Sequence, residues 1–360
     1  MSKLKINFNA GPAALPQEVL EEAAQAVLNY NNTGVSILSM PHRGKDFSAI
    51  LEESKTLVRA LCGVGDEYEV LWLQGGGRLQ FAMTPMNFLG ADETAGYIDS
   101  GSWSSAAIEY ANYYGKVKVL TSSKDKNYTE LPDWPDNNSQ KDLAYIHCTT
   151  NNTIYGTQWK DIPASTVPVI ADMSSDIFSR KISFTNCAMF YAVAQKNIGP
   201  AGATLVVVRK DMLQHIKRAI PSILDYNLYA EKNSVLNTPP VFAIYTSMLV
   251  LRWIKERGLD SIEKDNRRKA ALLYKEVERN SLFRTEVKEE DRSMMNVCFL
   301  PVDELMRKPF IGFCEERNIT GIAGHRSVGG FRVSLYNAIT IQDVEQLVAV
   351  MQEFEQKHSK

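Results

Sequence analysis

Two residues carry the sharpest chemical signal, Lys196 and Asp172, and each stands just past a short apolar run. Met189 to Ala194 has the pattern of a buried strand, and Leu205 to Val208 has it again. Between them lies a turn with Gly199, Pro200 and Gly202. A lysine in that loop sits near the core, and lost hydration favours its neutral amine, the form a Schiff-base lysine needs. A solvated lysine closing a hairpin fits the same residues. Val167 to Ala171 reads as another strand, with Asp172 at its end. An acid at the carboxyl end of an α/β strand faces the crevice where ligands bind. A Schiff-base lysine and an acid for a pyridinium nitrogen are the fixed needs of pyridoxal phosphate chemistry, so the pair says more than either residue alone.

Anion-binding patterns accompany this pair. Gln74-Gly75-Gly76-Gly77-Arg78 follows the strand Val70 to Leu73 and precedes a helix from Leu79 to Leu89. Strand, glycine turn and helix start form a phosphate cradle, because bare N–H groups and the helix dipole face the anion; a simple turn is the alternative. The dinucleotide fingerprint is excluded because Gln80 replaces its third glycine, and a P-loop is excluded because Asp46 follows Gly44-Lys45. His42-Arg43 lies in a loop marked by Pro41 and Gly44, and His325-Arg326 in a loop between Gly324 and Gly329. Arg332 opens the strand Gly330 to Ser334 facing away from Phe331 and Val333, so it needs an anionic partner, a nearby carboxylate or a ligand. Trp103, read as part of a loop of small residues, stacks on a flat ring or anchors packing. Thr153 reaches a cofactor oxygen or caps backbone.

Strands alternate with helices from residue 50 to 210, which predicts an α/β fold on a mainly parallel sheet covered on both faces. The sheet strands are completed by Thr94 to Asp99, Lys116 to Thr121 and Ala144 to Cys148, and helices by Ser48 to Cys62 and Ala106 to Tyr114. Residues 122 to 142 are polar and read as surface loop. A long helix, Val241 to Arg257, ends at Gly258, where the composition breaks. The remainder reads as helix (Glu263 to Glu278), strand (Met295 to Leu300), helix (Val302 to Arg317), strand, and helix (Ile341 to Gln356) with a Thr340–Asp343 cap. The domains expected are thus 13–257 and 258–360, joined by segment 1–12.

With 23% charged residues and net charge −2, the 360-residue chain carries no nucleic-acid footprint. Its five cysteines are scattered without a CxxC pair, so neither a disulfide framework nor a metal site is expected, and reduced thiols suit a cytoplasmic protein. No apolar run is long enough to span a membrane.

Phe8-Asn9-Ala10-Gly11-Pro12, His42-Arg43-Gly44-Lys45, Gly75 to Arg78, Asp172-Met173-Ser174-Ser175, Ala194 to Gly202, Asn237-Thr238-Pro239-Pro240, and Gly324-His325-Arg326 with Gly329 to Arg332 and Tyr336-Asn337-Ala338 together resemble the phosphoserine aminotransferases. These are class V, fold type I enzymes that depend on pyridoxal 5′-phosphate. The resemblance implies a large domain around a mainly parallel seven-stranded sheet, a smaller α+β C-terminal domain and a homodimer with shared sites. It implies that Lys196 holds the cofactor and moves protons, and that Asp172 keeps its pyridine nitrogen protonated. Trp103 and Thr153 match ring contacts; Gly77, Arg78 and Gln195 match phosphate contacts, joined by Asn237 and Thr238 from the other subunit. Arg332 matches the grip on the substrate α-carboxylate, and His42, Arg43, His325 and Arg326 match the substrate-phosphate pocket, the first two from the other subunit. The activity implied interconverts O-phospho-L-serine plus 2-oxoglutarate with 3-phosphooxypyruvate plus L-glutamate, in serine biosynthesis, with 4-phosphohydroxy-L-threonine of pyridoxine biosynthesis as a further substrate. Asn152, where glutamate is usual, and Pro41, where serine is common, depart from the pattern. Alanine–glyoxylate aminotransferases and cysteine desulfurases are the nearest rivals, and the doubled His-Arg loops argue against their neutral substrates. A non-catalytic phosphate-binding module is the rival outside enzymes.

Overall fold

Alternation along the apolar runs builds one sheet with two buried faces. In a computed structural model that describes residues 5–136, 140–214, 216 and 218–358, these runs form β1 (Tyr68–Gln74), β2 (Thr94–Asp99), β3 (Lys116–Ser122), β4 (Leu143–Thr149), β5 (Val169–Asp172), β6 (Met189–Val193) and β7 (Ala203–Arg209). Their spatial order is β1-β7-β6-β5-β4-β2-β3. Neighbours from β6 to β3 are parallel, and β7 runs antiparallel between β6 and β1. Successive side chains go to opposite faces. Val70, Trp72 and Phe190 pack with α2 (Lys45–Cys62) and α6 (Val241–Arg257). Leu71, Met189 and Tyr191 pack with α3 (Gly77–Phe88) and α4 (Ser102–Ala111). This is the mostly parallel α/β sheet that the alternation predicts. Among the described residues, no helix is long and apolar enough to cross a membrane.

Beyond α6 the chain forms α7 (Leu259–Arg279), β8 (Asn296–Pro301), α8 (Arg307–Glu315), β9 (Phe331–Ser334) and α9 (Ile341–His358). β8 and β9 pair antiparallel, and Leu273, Val297, Phe331 and Leu347 build a separate apolar cluster around them. Phe8, from the other end of the chain, is fully buried in that cluster, and Ile6 pairs in parallel with Ile319. The N-terminal segment is therefore anchored on the C-terminal layer before it passes the sheet edge to α1 (Gln17–Asn29).

Local physics moved several expected boundaries. Helix α4 begins at Ser102, not Ala106, because the Ser104 hydroxyl accepts the N–H groups of Ser100 and Gly101, each at 2.9 Å, and so starts the helix early. Trp103 thus rides on a helical first turn rather than a loop. The strand ahead of Lys196 stops at Val193, and Ala194–Asn197 coils into a single helical turn, α5. Helix α8 begins only at Arg307, because the Asp303 side chain caps a separate short turn at Glu304–Met306. In the expected loop 122–142, Tyr128 is buried and its hydroxyl donates to Asp99; residues 137–139 of that stretch lie outside the described residues.

Lys269 of α7 is fully buried and donates to the carbonyls of Leu335, Tyr336 and Ile339 at 3.0, 3.0 and 2.8 Å. It pins the turn that follows β9. Burial lowers its pKa to about 7 from an unfolded value of 10.5. Between those values the unfolded chain holds a proton that the folded chain lacks, so this group's contribution to stability grows more favourable as pH rises from about 7 toward 10.5. Replacing it with methionine removes the donor to these buried carbonyls, three for the ammonium and two for the neutral amine, at about 1–3 kcal/mol each before any relaxation. Lys269→Met is expected to unfold at lower denaturant by about 3 kcal/mol, with a deficit against the parent that widens from pH 7 to pH 9. A deficit that shrinks with pH would contradict this account.

Candidate active site

Lys196 is positioned by its neighbours on both sides. The Asn197 side-chain amide donates to the Ile177 carbonyl at 2.6 Å, which ties α5 to the loop after β5. The Gln195 carbonyl accepts the Ala13 N–H at 2.9 Å, which ties it to the N-terminal strap. Gly11 lies over the lysine stem with φ at +148°, a backbone conformation that favours glycine, and a Cβ there would stand 3.4 Å from Lys196 Cγ. Asp172 ends β5, is 6% exposed, and its Oδ1 accepts the Ser174 N–H at 2.9 Å. Burial pushes the Asp172 carboxyl up and the Lys196 amine down, and the opposite charge of each holds the other back.

Both residues line one cavity of about 450 Å³, together with Arg78, Trp103, His325 and Arg332. The Lys196 ammonium lies 5.8 Å from the Trp103 ring centroid, and the Arg78 guanidinium 6.0 Å from it. Trp103 Nε1 donates to Thr153 Oγ1 at 3.0 Å, and Arg332 Nη1 donates to the Thr153 carbonyl at 3.1 Å. Thr153 thereby joins the indole to the guanidinium. Among the described residues no carboxylate forms an ion pair with Arg332. His325 is held below its usual pKa by burial first and then by the positive charges of Arg332 and Arg326.

The cavity fits a pyridoxal phosphate. Gly76, Gly77 and Arg78 bring the start of α3 to its wall, and no side chain caps that helix end. Its first N–H groups suit a phosphate. Gln195 lines the same wall, and its side-chain amide N–H is the group suited to a phosphate oxygen. An amine, a buried carboxylate, an indole and an anion cradle are the groups that this cofactor requires.

Other candidates lie elsewhere in the single chain. Asn237 Nδ2 donates to Gln74 Oε1 at 2.9 Å, and the Thr238 carbonyl accepts from Gln74 Nε2, so both flank the glycine turn without lining the cavity. His42 is half-buried, Arg43 and Arg326 are exposed, and none of the three lines the cavity. Conversely, Ala10, Gly11, Phe81 and Ser174 do line it, beyond the residues that the sequence marks as candidates. Ala10, Gly11 and Ser174 stand inside motifs that carry the family resemblance, whereas Phe81 has no signal in the sequence beyond its apolar place in a helix. Asn152 donates to the Ser100 carbonyl and accepts the Ile154 N–H at 3.2 Å. It packs so tightly on Gly101 that a Cβ there would overlap its amide nitrogen. The departure at Asn152 therefore ties the Thr153 loop to the turn that carries Trp103.

Comparison with known proteins agrees with this geometry. The family described as aminotransferase class-V matches residues 6–347. A phosphoserine aminotransferase of Flavobacterium psychrophilum is 47% identical over 355 residues, covering 98% of this chain and 99% of the relative. The solved phosphoserine aminotransferase from Bacillus circulans subsp. alkalophilus is 42% identical, with a TM-score of 0.96 over 99% of this chain and 100% of the other. A phosphoserine aminotransferase from Trichomonas vaginalis, solved with pyridoxal phosphate bound, is 35% identical with a TM-score of 0.92, over 97% of this chain and 99% of the other. On these grounds the chain belongs to the class-V aminotransferases and, within them, to the phosphoserine aminotransferases.

Proposed function

We infer that this chain carries out its family's transamination in the cavity that holds Lys196, with pyridoxal 5′-phosphate as cofactor. It transfers the amino group between O-phospho-L-serine and 2-oxoglutarate, forming 3-phosphooxypyruvate and L-glutamate, as a step of serine biosynthesis. The observation that carries the residue-level reading is the convergence of Lys196, Asp172, Trp103 and Arg332 on one cavity. When bound, the cofactor supplies an aldehyde that accepts the amino group and a ring that takes up the electron pair released at substrate Cα.

The chain's own residues would do the rest. Burial keeps Lys196 deprotonated more readily than a solvated lysine, so its amine can take the proton from substrate Cα and return it at C4′ of the cofactor. Asp172 would hold a proton on the pyridine nitrogen through a charge-assisted hydrogen bond in a dry site. Trp103 would cover one ring face, and the uncapped start of α3 with Arg78 would hold the phosphate. Arg332 would grip the α-carboxylate, its planar fork matching a carboxylate in two-pronged fashion.

The doubled His-Arg loops support an acidic substrate. His325 is at the cavity wall with Arg326 beside it, and we assign the missing half, His42 and Arg43, to a second subunit. In the same assembly, Asn237 and Thr238 would reach the neighbour's cofactor phosphate. Leu28 and Leu38 are 76% and 64% exposed in the stretch just before His42, an apolar surface that a homodimer would cover. The division 13–257 and 258–360 follows the separate apolar cluster around β8 and β9, and the five unpaired cysteines suit a reducing cytoplasm.

The direct test is a coupled assay of glutamate with 3-phosphooxypyruvate, set against pyruvate and glyoxylate. Preference for the phosphorylated acceptor by about 100-fold or more is expected, since a site built to pair with an anion rejects an acceptor that leaves its cations unpaired. Replacing Arg43 and Arg326 together by alanine should lower kcat/KM for phosphoserine by about 100-fold, at roughly a tenfold loss per charge-assisted contact. Equal rates with all three acceptors would remove the substrate assignment.

A further inference from the structure

A chain of fully buried polar side chains crosses from the sheet end to the C-terminal layer and on to the N-terminal strap. Asn151, Ser175, Asn296, Ser334 and Tyr336 are each at most 2% exposed. Asn151 Nδ2 donates to Ser175 Oγ and to Asn296 Oδ1, both at 2.8 Å, while Asn151 Oδ1 accepts from the Ser293 hydroxyl. Asn296 Nδ2 donates to Ser334 Oγ at 3.0 Å and reaches Tyr336 Oη at 3.5 Å. The Tyr336 hydroxyl donates to the Ala10 carbonyl at 2.8 Å. Both carboxamides use their donors and acceptor on other protein groups, so each partner is specified in direction as well as distance.

The ends of this chain are the walls of the cavity. Ser175 lies three residues past Asp172. Asn296 and Ser334 are opposed in the β8–β9 ladder, and Cys298 and Arg332 are opposed one step along the same face. The carbonyl that Tyr336 holds belongs to the strap residue next to Gly11, which lies on Lys196. None of these five groups is at the cavity surface except through the residues it holds.

We propose that Asn296 and Tyr336 are positioning residues: they set where Arg332 and the Ala10–Gly11 strap stand relative to Lys196. The amide of Asn296 ties β9, the strand that carries Arg332, through Asn151 to Ser175 in the loop after Asp172. The hydroxyl of Tyr336 holds the strap down on the lysine stem. The spacing between the carboxylate grip and the reacting amine is then built into the resting fold.

This rests on the reading of Arg332 as the α-carboxylate grip, and the experiment separates the two. The holoenzymes of Arg332→Ala, Asn296→Ala and Tyr336→Phe are compared by steady-state kinetics with glutamate and by hydrogen exchange of the amides in residues 8–13. Arg332→Ala is expected to raise the glutamate KM with strap protection intact. Asn296→Ala is expected to raise KM about tenfold with kcat within about threefold of the parent, and Tyr336→Phe to speed exchange of the strap amides about tenfold with a smaller rise in KM. Should Asn296→Ala fail to fold, Tyr336→Phe, which lacks a single oxygen, still decides. Unchanged KM in Arg332→Ala would remove the grip itself. A raised KM in Arg332→Ala, with neither KM nor strap exchange altered in the other two, would leave the grip standing and overturn the positioning role.

Discussion

Replacing Lys196 with alanine is expected to lower turnover by about 1,000-fold or more, because it removes both the amine that would hold the cofactor and the base at substrate Cα. The structure gives two reasons for so large an effect. Burial lowers the Lys196 pKa, and among the described residues no other lysine lines the cavity. Arg78, His325 and Arg332 are the other basic groups there; the two arginines cannot act as bases near neutrality. The variant should still fold, since the lysine stem meets a glycine across the strap and the neighbouring Asn197 keeps its bond to Ile177. Two measurements check it. Single-turnover kinetics with glutamate should show the loss in the amino-transfer step. Borohydride treatment should fix a label on the peptide containing Lys196 in the parent and none in the variant. A variant that retains a tenth of parental turnover would show that the amine acts elsewhere.

Asp172→Asn is expected to lower kcat by about 100-fold, the size of a one-to-three-unit pKa effect of a buried carboxylate on a neighbouring cation. Asparagine preserves volume and can still accept the Ser174 N–H, so the local fold should hold. What it lacks is the charge that would keep the pyridine nitrogen protonated. The same substitution has a second consequence with a definite sign. The Asp172 charge raises the Lys196 pKa against the larger effect of burial. Without it that pKa falls further, so the acidic limb of the pH–rate profile should move to lower pH in the variant. Isothermal titration of the apoprotein with pyridoxal phosphate supplies a readout independent of turnover and should show weaker binding. A rate within threefold of the parent, or a limb that moves to higher pH, would exclude the assigned role.

Much of the catalytic logic is local and therefore written in the chain. Lys196 and Asp172 each end an apolar run, and strand ends in a parallel sheet open on one crevice, so their convergence follows from pattern alone. The same holds for the glycine turn before α3, whose N–H groups need no distant partner to face an anion. Helix starts were legible where punctuation is local, as at the Thr340–Asp343 cap and after Pro239-Pro240 ahead of Val241. Ser104 satisfies N–H groups upstream of itself while also donating to Asp99, and a run of small residues conceals that arrangement.

Contacts across long separations are another matter. Ala10 and Tyr336 are 326 residues apart, Asn151 and Asn296 are 145 apart, and Thr153 and Arg332 are 179 apart. No periodicity encodes such pairs, because a buried amide chooses its partners by geometry after the layers have packed. Periodicity and punctuation in the chain suffice to name the reacting groups and the sheet that carries them. The distance between those groups, the strap that covers the lysine and the solvent exclusion that shifts its proton equilibrium arise only when the N-terminal segment, the sheet end and the C-terminal layer meet, since desolvation belongs to an assembled interior and to no single residue.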